Sequence, residues 1–301
     1  MDLNTASWIT GMLKSIYPFY PYHVKSKHFI AVGLCAFACL VARAQTTKDH
    51  TMETPISNKE IVLDFWKRAI GQGNLEVAEQ RIAEDYIQHS ASGKPGKAAL
   101  LEALARLKQM PKPENSPKPF MRIIADGDYV VLHMLIAFGG QNMIVLDIVR
   151  LQNARFAEHW DAIQPMAEAT AHAAIEGPAQ INDLAQTASN KQQITDFAHA
   201  VLKEGQWERA TNFVSPEIIT HDPEAKPGLS GWKEMFECYT LEKVYRIVGE
   251  GNFVMTQSRI LQNETPYACY DIYRLDKTKI VEHWRVKQPI PAKLLHNNGV
   301  I

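Results

Sequence analysis

The chain has no excess of charge of either sign, few cysteines and no apolar run long enough to cross a bilayer as a helix. With 32 Lys and Arg against 33 Asp and Glu, its 301 residues carry a formal charge of −1, so no global field draws a polyanion and no nucleic-acid partner is expected. Four cysteines, with 46% hydrophobic and 22% charged residues, exclude a disulfide-dense mini-scaffold as well as disorder, collagen and coiled coil. What the composition allows is one large soluble domain or two small ones.

Phe29 to Val41, FIAVGLCAFACLV, has the length of a signal-peptide core and is too short to span as a helix. Lys25, Lys27 and His28 supply its positive flank, and Ala42-Arg43-Ala44 before Gln45 has a small-x-small pattern, so cleavage is expected after Ala44. The mature protein is then periplasmic or secreted, with no stable membrane partner. An uncleaved anchor is the alternative, and Met12 is an alternative start. Cys39 lacks the aliphatic residue three back that lipidation requires. Loss of the leader leaves Cys238 and Cys269, either as one disulfide or as two buried thiols. They match no compact zinc pattern, so no metal is expected.

A self-comparison finds a duplication. Shifted by 132 residues, Ser57-Asn58-Lys59 falls on Ser189-Asn190-Lys191, His89 on His221, and Lys94-Pro95-Gly96 on Lys226-Pro227-Gly228. After a gap of eight, in the Pro-rich stretch around Pro111 to Pro119, the register becomes 124. Asp147 then falls on Asp271, Arg150 on Arg274, and Glu158-His159-Trp160 on Glu282-His283-Trp284. The expected organisation is a leader (1–44), a linker (45–56), domain 1 (57–166), a linker (167–188), domain 2 (189–290) and a tail (291–301).

Each copy opens with the spacing of a capping box, Ser57 with Glu60 and Ser189 with Gln192. Further helices are expected over Leu75 to Ile82 and Lys97 to Lys108, with Tyr86-Ile87-Gln88-His89 in the helix–loop segment between them. Tyr129 to Ala137, Met143 to Leu151 and Arg155 to Ile163 read as an antiparallel meander. The expected class is therefore α+β: two tandem cone-shaped barrels, each a curved antiparallel sheet covered by its N-terminal helices.

Alternation puts His133 between Val131 and Leu135, Asp147 between Val145 and Val149, and His159 with Ala157 and Asp161. Polar groups in apolar stripes cost free energy unless they pair or do chemistry. A hydrogen-bonded core histidine is the plain alternative for His133, and a buried ion pair that for Asp147. Arg150 and Glu158 face the other way, as a cross-strand salt bridge. Trp160 and Trp284 share that face, as core under the helices or as the contact between the copies. His89 is placed at the mouth of the cone.

Tyr86-Ile87-Gln88-His89, Gly127-Asp128 before His133, Asp147-Ile148-Val149-Arg150, and Glu158-His159-Trp160-Asp161 with Gln164 resemble the SnoaL-like polyketide cyclases of the nuclear transport factor 2-like superfamily, over 57–166 and again over 189–290. The resemblance implies a cone-shaped barrel with no cofactor and no metal. It also implies an acid–base pair for aldol-type ring closure, which falls on Asp147 and His133, with His89, His159, Asp161 and Tyr86 around a hydrophobic or carbonyl ligand. The second-copy pocket would hold His221, Gln257, Asp271 and His283. There Gln257 stands for His133 and Arg285 for Asp161, so one competent site, in the first copy, is expected. The resemblance further implies a fused pseudo-dimer and leaves a homodimer open. The expected function is a cofactor-independent lyase or isomerase; a non-catalytic periplasmic binding module using the same cone is the alternative.

Overall fold

The computed structural model describes residues 56–110, 119–138 and 141–301. The leader, its cleavage site and most of the Pro-rich stretch lie outside the described residues. No helix among the described residues is long and apolar enough to cross a membrane.

In the first copy α1 (Asn58–Phe65) continues into a π-helical turn, Trp66–Gly71. Next come α2 (Leu75–Arg81), β1 (Ile82–Gln88), α3 (Gly96–Lys108), β2 (Phe120–Asp126), β3 (Tyr129–Phe138), β4 (Gln141–Gln152) and β5 (Arg155–Met166). A short α4 (Glu168–Ala171) follows in the linker. The second copy repeats the plan with α5 (Thr187–Phe197), β6 (Val214–Thr220), α6 (Gly228–Glu237), β7 (Thr240–Glu250), β8 (Phe253–Gln262), β9 (Thr265–Asp276) and β10 (Lys279–Pro289). Two five-stranded sheets result, ordered β1-β5-β4-β3-β2 and β6-β10-β9-β8-β7.

The Ser57–Glu60 capping box forms with both reciprocal bonds. Its counterpart does not: α5 starts at Thr187, which leaves Ser189 inside the first turn with its hydroxyl on Gln186 O. The stretch before His89 is also not helix and loop. It is strand β1, the one parallel partner in its sheet, hydrogen-bonded along β5. Cys238 and Cys269 are both free thiols, Cys238 exposed and Cys269 buried.

Each sheet buries both faces. In β4 the side chains of Met143, Val145, Val149 and Leu151 pack toward α1–α3, while Ile144, Leu146 and Ile148 pack against the other sheet. Trp160 and Trp284 belong to this sheet-on-sheet layer, so they are the contact between the copies. Ser57–Ile301 accordingly forms one compact unit.

Contacts across this layer are reciprocal at the repeat offset. Arg122 lies 3.7 Å over the ring of Trp284 and Arg246 lies 3.8 Å over Trp160, cation–π pairs strengthened by exclusion of water. Lys59 pairs with Glu250 and Lys191 with Asp126. Gln164 Oε1 accepts from Lys287 N and Gln288 Oε1 accepts from Ile163 N. Arg122 also donates to the carbonyl oxygens of Ile175, Glu176 and Pro178, which holds the linker down. The following hairpin turn is tight: a Cβ on Gly251, at φ +59°, would sit 1.9 Å from Asn182 O, so only glycine fits there.

Candidate active site

Between α1, α3 and the concave face of the first sheet lies a cavity of about 230 Å³, somewhat below the roughly 300 Å³ at which ligand sites usually begin. Its walls are apolar, including Trp66, Leu100, Leu104, Met134, Val145 and Phe156. The polar groups concentrate where β1, β5 and β4 run side by side: Tyr86 and Gln88 from β1, His159 and Asp161 from β5, and Asp147 from β4, with Ser90 just beyond β1. Register explains the grouping. Asp147 stands opposite Asp161, and Val149 opposite His159, so the three functional side chains leave the sheet on one face.

Hydrogen bonding fixes the imidazole. Gln88 Oε1 accepts from Ser90 N at 3.0 Å, which identifies that atom as the acceptor, and His159 Nδ1 lies 2.9 Å from it. Nδ1 therefore carries a proton. The other nitrogen, Nε2, points at Asp147 Oδ1, 3.5 Å away, where a second proton would be shared between ring and carboxylate. Burial pushes His159 down, yet the bond to Asp147 and the charges of Asp147 and Asp161 outweigh it, and the imidazole is held above its ordinary value. For Asp161 burial wins: with His159 pulling down, Asp147 pushing up and a Ser90 hydrogen bond pulling down, the carboxyl rises to about 6. Its Oδ1 is buried with no hydrogen-bond partner among the described residues. Tyr86, 4% exposed, is raised well above its usual value by burial and the two carboxylates, so its hydroxyl stays protonated. Donor atoms of Asp147, His159 and Asp161 lie within 4.8 Å of one another, a set that could also hold a hard divalent cation.

Two residues expected at this site are elsewhere. In the β3–β4 register Leu132, not His133, stands opposite Asp147. His133 leaves the sheet on the other face, toward the second copy, with Nδ1 3.2 Å from Arg122 Nη1. Burial, with the nearby Arg122, holds it well below the ordinary histidine value. It is a neutral core histidine, and the Asp147–His133 pair does not form. His89 also faces the inter-copy layer. Its ring stacks on Trp160 with centroids 4.5 Å apart, and its nitrogens lie 3.1 Å from Gly299 O and 3.2 Å from Glu158. Glu158 bonds Arg150 across the strands at 2.6 Å. The position that sequence reasoning missed is Gln88, which sets the tautomer of His159; its alternation with Tyr86 would have exposed it had β1 been read as a strand.

The second copy has the same frame with a filled interior. His221 stacks on Trp284 and contacts Ala173 O and Glu282, while Gln257 binds Tyr270 and Arg246, so neither lines a pocket. Asp271 and His283 do face inward, but Arg285 occupies the space between the helices and the sheet. Its Nε lies 2.7 Å from Asp271, and its guanidinium stacks 4.4 Å over Phe236 and 4.7 Å over Tyr239. A void of about 10 Å³ is left beside Asp271. Trp232 Nε1 donates to His283 Nδ1 at 3.0 Å, so Nε2 carries the proton donated to Asp271 at 2.8 Å. The two equivalent histidines thus have their fixed proton on opposite nitrogens, Nδ1 in His159 and Nε2 in His283. Burial pushes Asp271 up, but Arg285 and His283 outweigh it and hold it at about 2. Burial lowers His283.

No family model matches the sequence, and no curated protein matches it. Among solved structures, an NTF2-like protein of unknown function from Cytophaga hutchinsonii is 17% identical, over 38% of this chain and 95% of its own, with a TM-score of 0.30. A SnoaL-like polyketide cyclase from Agrobacterium tumefaciens is 12% identical, over 33% and 91%, with a TM-score of 0.28. An LEH-like epoxide hydrolase from M. tuberculosis is 12% identical, over 34% and 85%, with a TM-score of 0.30. Identities and scores this low carry no conclusion about activity.

Proposed function

We propose that this chain is an exported, tandem SnoaL-like member of the nuclear transport factor 2-like superfamily. Its first copy acts as a lyase or isomerase on a small carbonyl compound by acid–base chemistry. The sequence motifs and the cone-and-sheet plan of each copy support the family reading, and the leader-like run before Gln45 supports export. One observation carries the chemistry: Asp161, raised to about 6 with an unpartnered oxygen, stands in an apolar cavity beside His159. A carboxyl poised there can take a proton from a carbon next to a carbonyl and return it within one turnover. The His159 imidazolium, shared with Asp147, and the Tyr86 hydroxyl are the donors for the enolate oxygen that forms.

Solvent deuterium exchange at the α-carbon of a panel of small ketones and β-dicarbonyl compounds, followed by proton NMR, tests the reading. The wild type is expected to accelerate exchange for at least one compound, and Asp161→Asn to lose about 10²-fold or more. Equal binding by both proteins with no exchange for any compound would sink the enzyme reading in favour of a binding module.

A further inference from the structure

The cavity is electrically polar along its length. Its buried end carries Asp147 and Asp161, two carboxylates with the single imidazole of His159 beside them, whereas the lysine and the arginine on its lining, Lys94 and Arg106, are both solvent-exposed. Lys94 makes no hydrogen bond or ion pair among the described residues, although it follows the β1 segment that forms the site. On α3, Glu102 is engaged at 2.6 Å by Arg106 one turn later.

In the filled second copy the arrangement is undone at the same positions. Cys238 takes the place of Arg106, and the glutamate equivalent to Glu102, Glu234, is released to pair with Lys226, the counterpart of Lys94, at 2.6 Å. A free lysine thus accompanies the open cone and a neutralised lysine the closed one.

We infer that the substrate of the first copy is a small carbonyl acid, bound with its carboxylate at Lys94, Arg106 serving to keep that lysine free, and its carbonyl end against Asp161 and His159. The inference rests on the proposed acid–base reading of that site. The reverse orientation would set the ligand's anion against Asp147 and Asp161, where like charges in a low-dielectric site repel. The apolar walls between the two ends suit an aliphatic or aryl spacer. The cation itself contributes through a partly solvated pair, so its effect is a preference rather than an absolute requirement.

The test is a matched series of γ-keto acids, from levulinate to 3-benzoylpropanoate, against their methyl esters. Each is titrated by calorimetry into the wild type, Lys94→Ala, Arg106→Ala and the distant surface variant Lys277→Ala. The expected result is an acid-over-ester preference of about 3- to 10-fold in the wild type and Lys277→Ala, weakening as salt is raised. The preference should collapse to about one in Lys94→Ala. In Arg106→Ala it should also shrink, because Glu102 becomes available to Lys94. Esters that bind as well as acids, a preference that survives in Lys94→Ala, or no binding of any member overturns the inference. The outcomes separate the two readings: acids preferred but never exchanged at the α-carbon leave the anion site standing and remove the enzyme, while exchange without acid preference does the reverse.

Discussion

Asp161→Asn is expected to stabilise the protein while disabling it, and the gain should depend on pH in one direction only. In the unfolded chain this carboxyl ionises near its ordinary value of 3.8, whereas in the folded site it ionises at about 6. Below about pH 3 both states hold the proton and the group contributes nothing. As pH rises through that interval the folded state holds a proton that the unfolded state has released, so stability is lost with rising pH. At pH 8 the folded protein carries the full cost of a charged carboxylate in that setting, about 2–3 kcal/mol. Asparagine keeps the shape and cannot ionise. For a chain of this size the gain corresponds to a Tm higher by about 5–10 °C at pH 8, falling to about a third of that at pH 4.5. The assay is thermal unfolding followed by circular dichroism across that range, with a chelator present so that no adventitious cation holds the carboxylates. The loss of Asp161's charge near His159 works slightly against the gain. A Tm difference that is the same at both pH values, or a loss of stability at pH 8, refutes the argument that burial governs this group.

Four other outcomes follow from the same geometry. Arg285→Met leaves Asp271 charged and buried with His283 and the weak Cys269 thiol as its partners, and should cost about 3–5 kcal/mol in urea unfolding, most of it recovered in the Arg285→Met/Asp271→Leu double variant. Val149→Tyr places in the open cone the residue that Tyr273 supplies in the filled one, and should abolish ligand-induced stabilisation at a folding cost of about 1–3 kcal/mol. Arg122→Met frees three linker carbonyls and uncovers Trp284, with an expected loss of about 2–4 kcal/mol by the same unfolding assay. His296→Ala/Asn298→Ala removes the bonds from the tail to Ser90 O and Gln88 O; turnover of any substrate found should fall several-fold with a shifted pH profile, because Gln88 then holds His159 less well.

The duplication, its register and the α+β plan were legible because insertions sit in loops while the strands keep their spacing. Asp147, His159 and Asp161 were also legible as a group, since a polar residue in an apolar stripe is visible in one strand, whereas Tyr86 entered only through the family resemblance. The side to which each stripe points was not. Strand β3 is apolar on both faces, with Val130, Leu132, Met134 and Ile136 toward the helices and Val131 and Leu135 toward the second copy. In a sheet buried on both sides alternation loses its meaning, and only the register against β4 tells that His133 and Asp147 diverge. His89 failed for a related reason. The sequence IAEDYIQ of β1 carries two acidic residues and pairs in parallel at the sheet edge, so no hairpin signal announces it.

The two copies show what the same frame does with and without a vacant interior. Where Arg285 stands, the carboxylate on the central strand is held at about 2, and Trp232 fixes its histidine with the proton on Nε2, toward that carboxylate. Where Asp161 stands, no arginine fills the cone, one carboxyl rises to about 6, and the histidine holds its fixed proton on Nδ1 through Gln88. The change of charge sign at one β5/β10 position therefore goes with the change of protonation, while the position of the histidine proton follows from Gln88 in one copy and Trp232 in the other. Sharing the inter-copy layer makes the specialisation affordable for the fold. The filled copy contributes packing through Trp284, Phe253 and Tyr270, and its tail reaches back to Gln88 and Ser90 at the rim of the open site. The second copy thus acts as a wall against which the first copy's buried titratable groups are held in place.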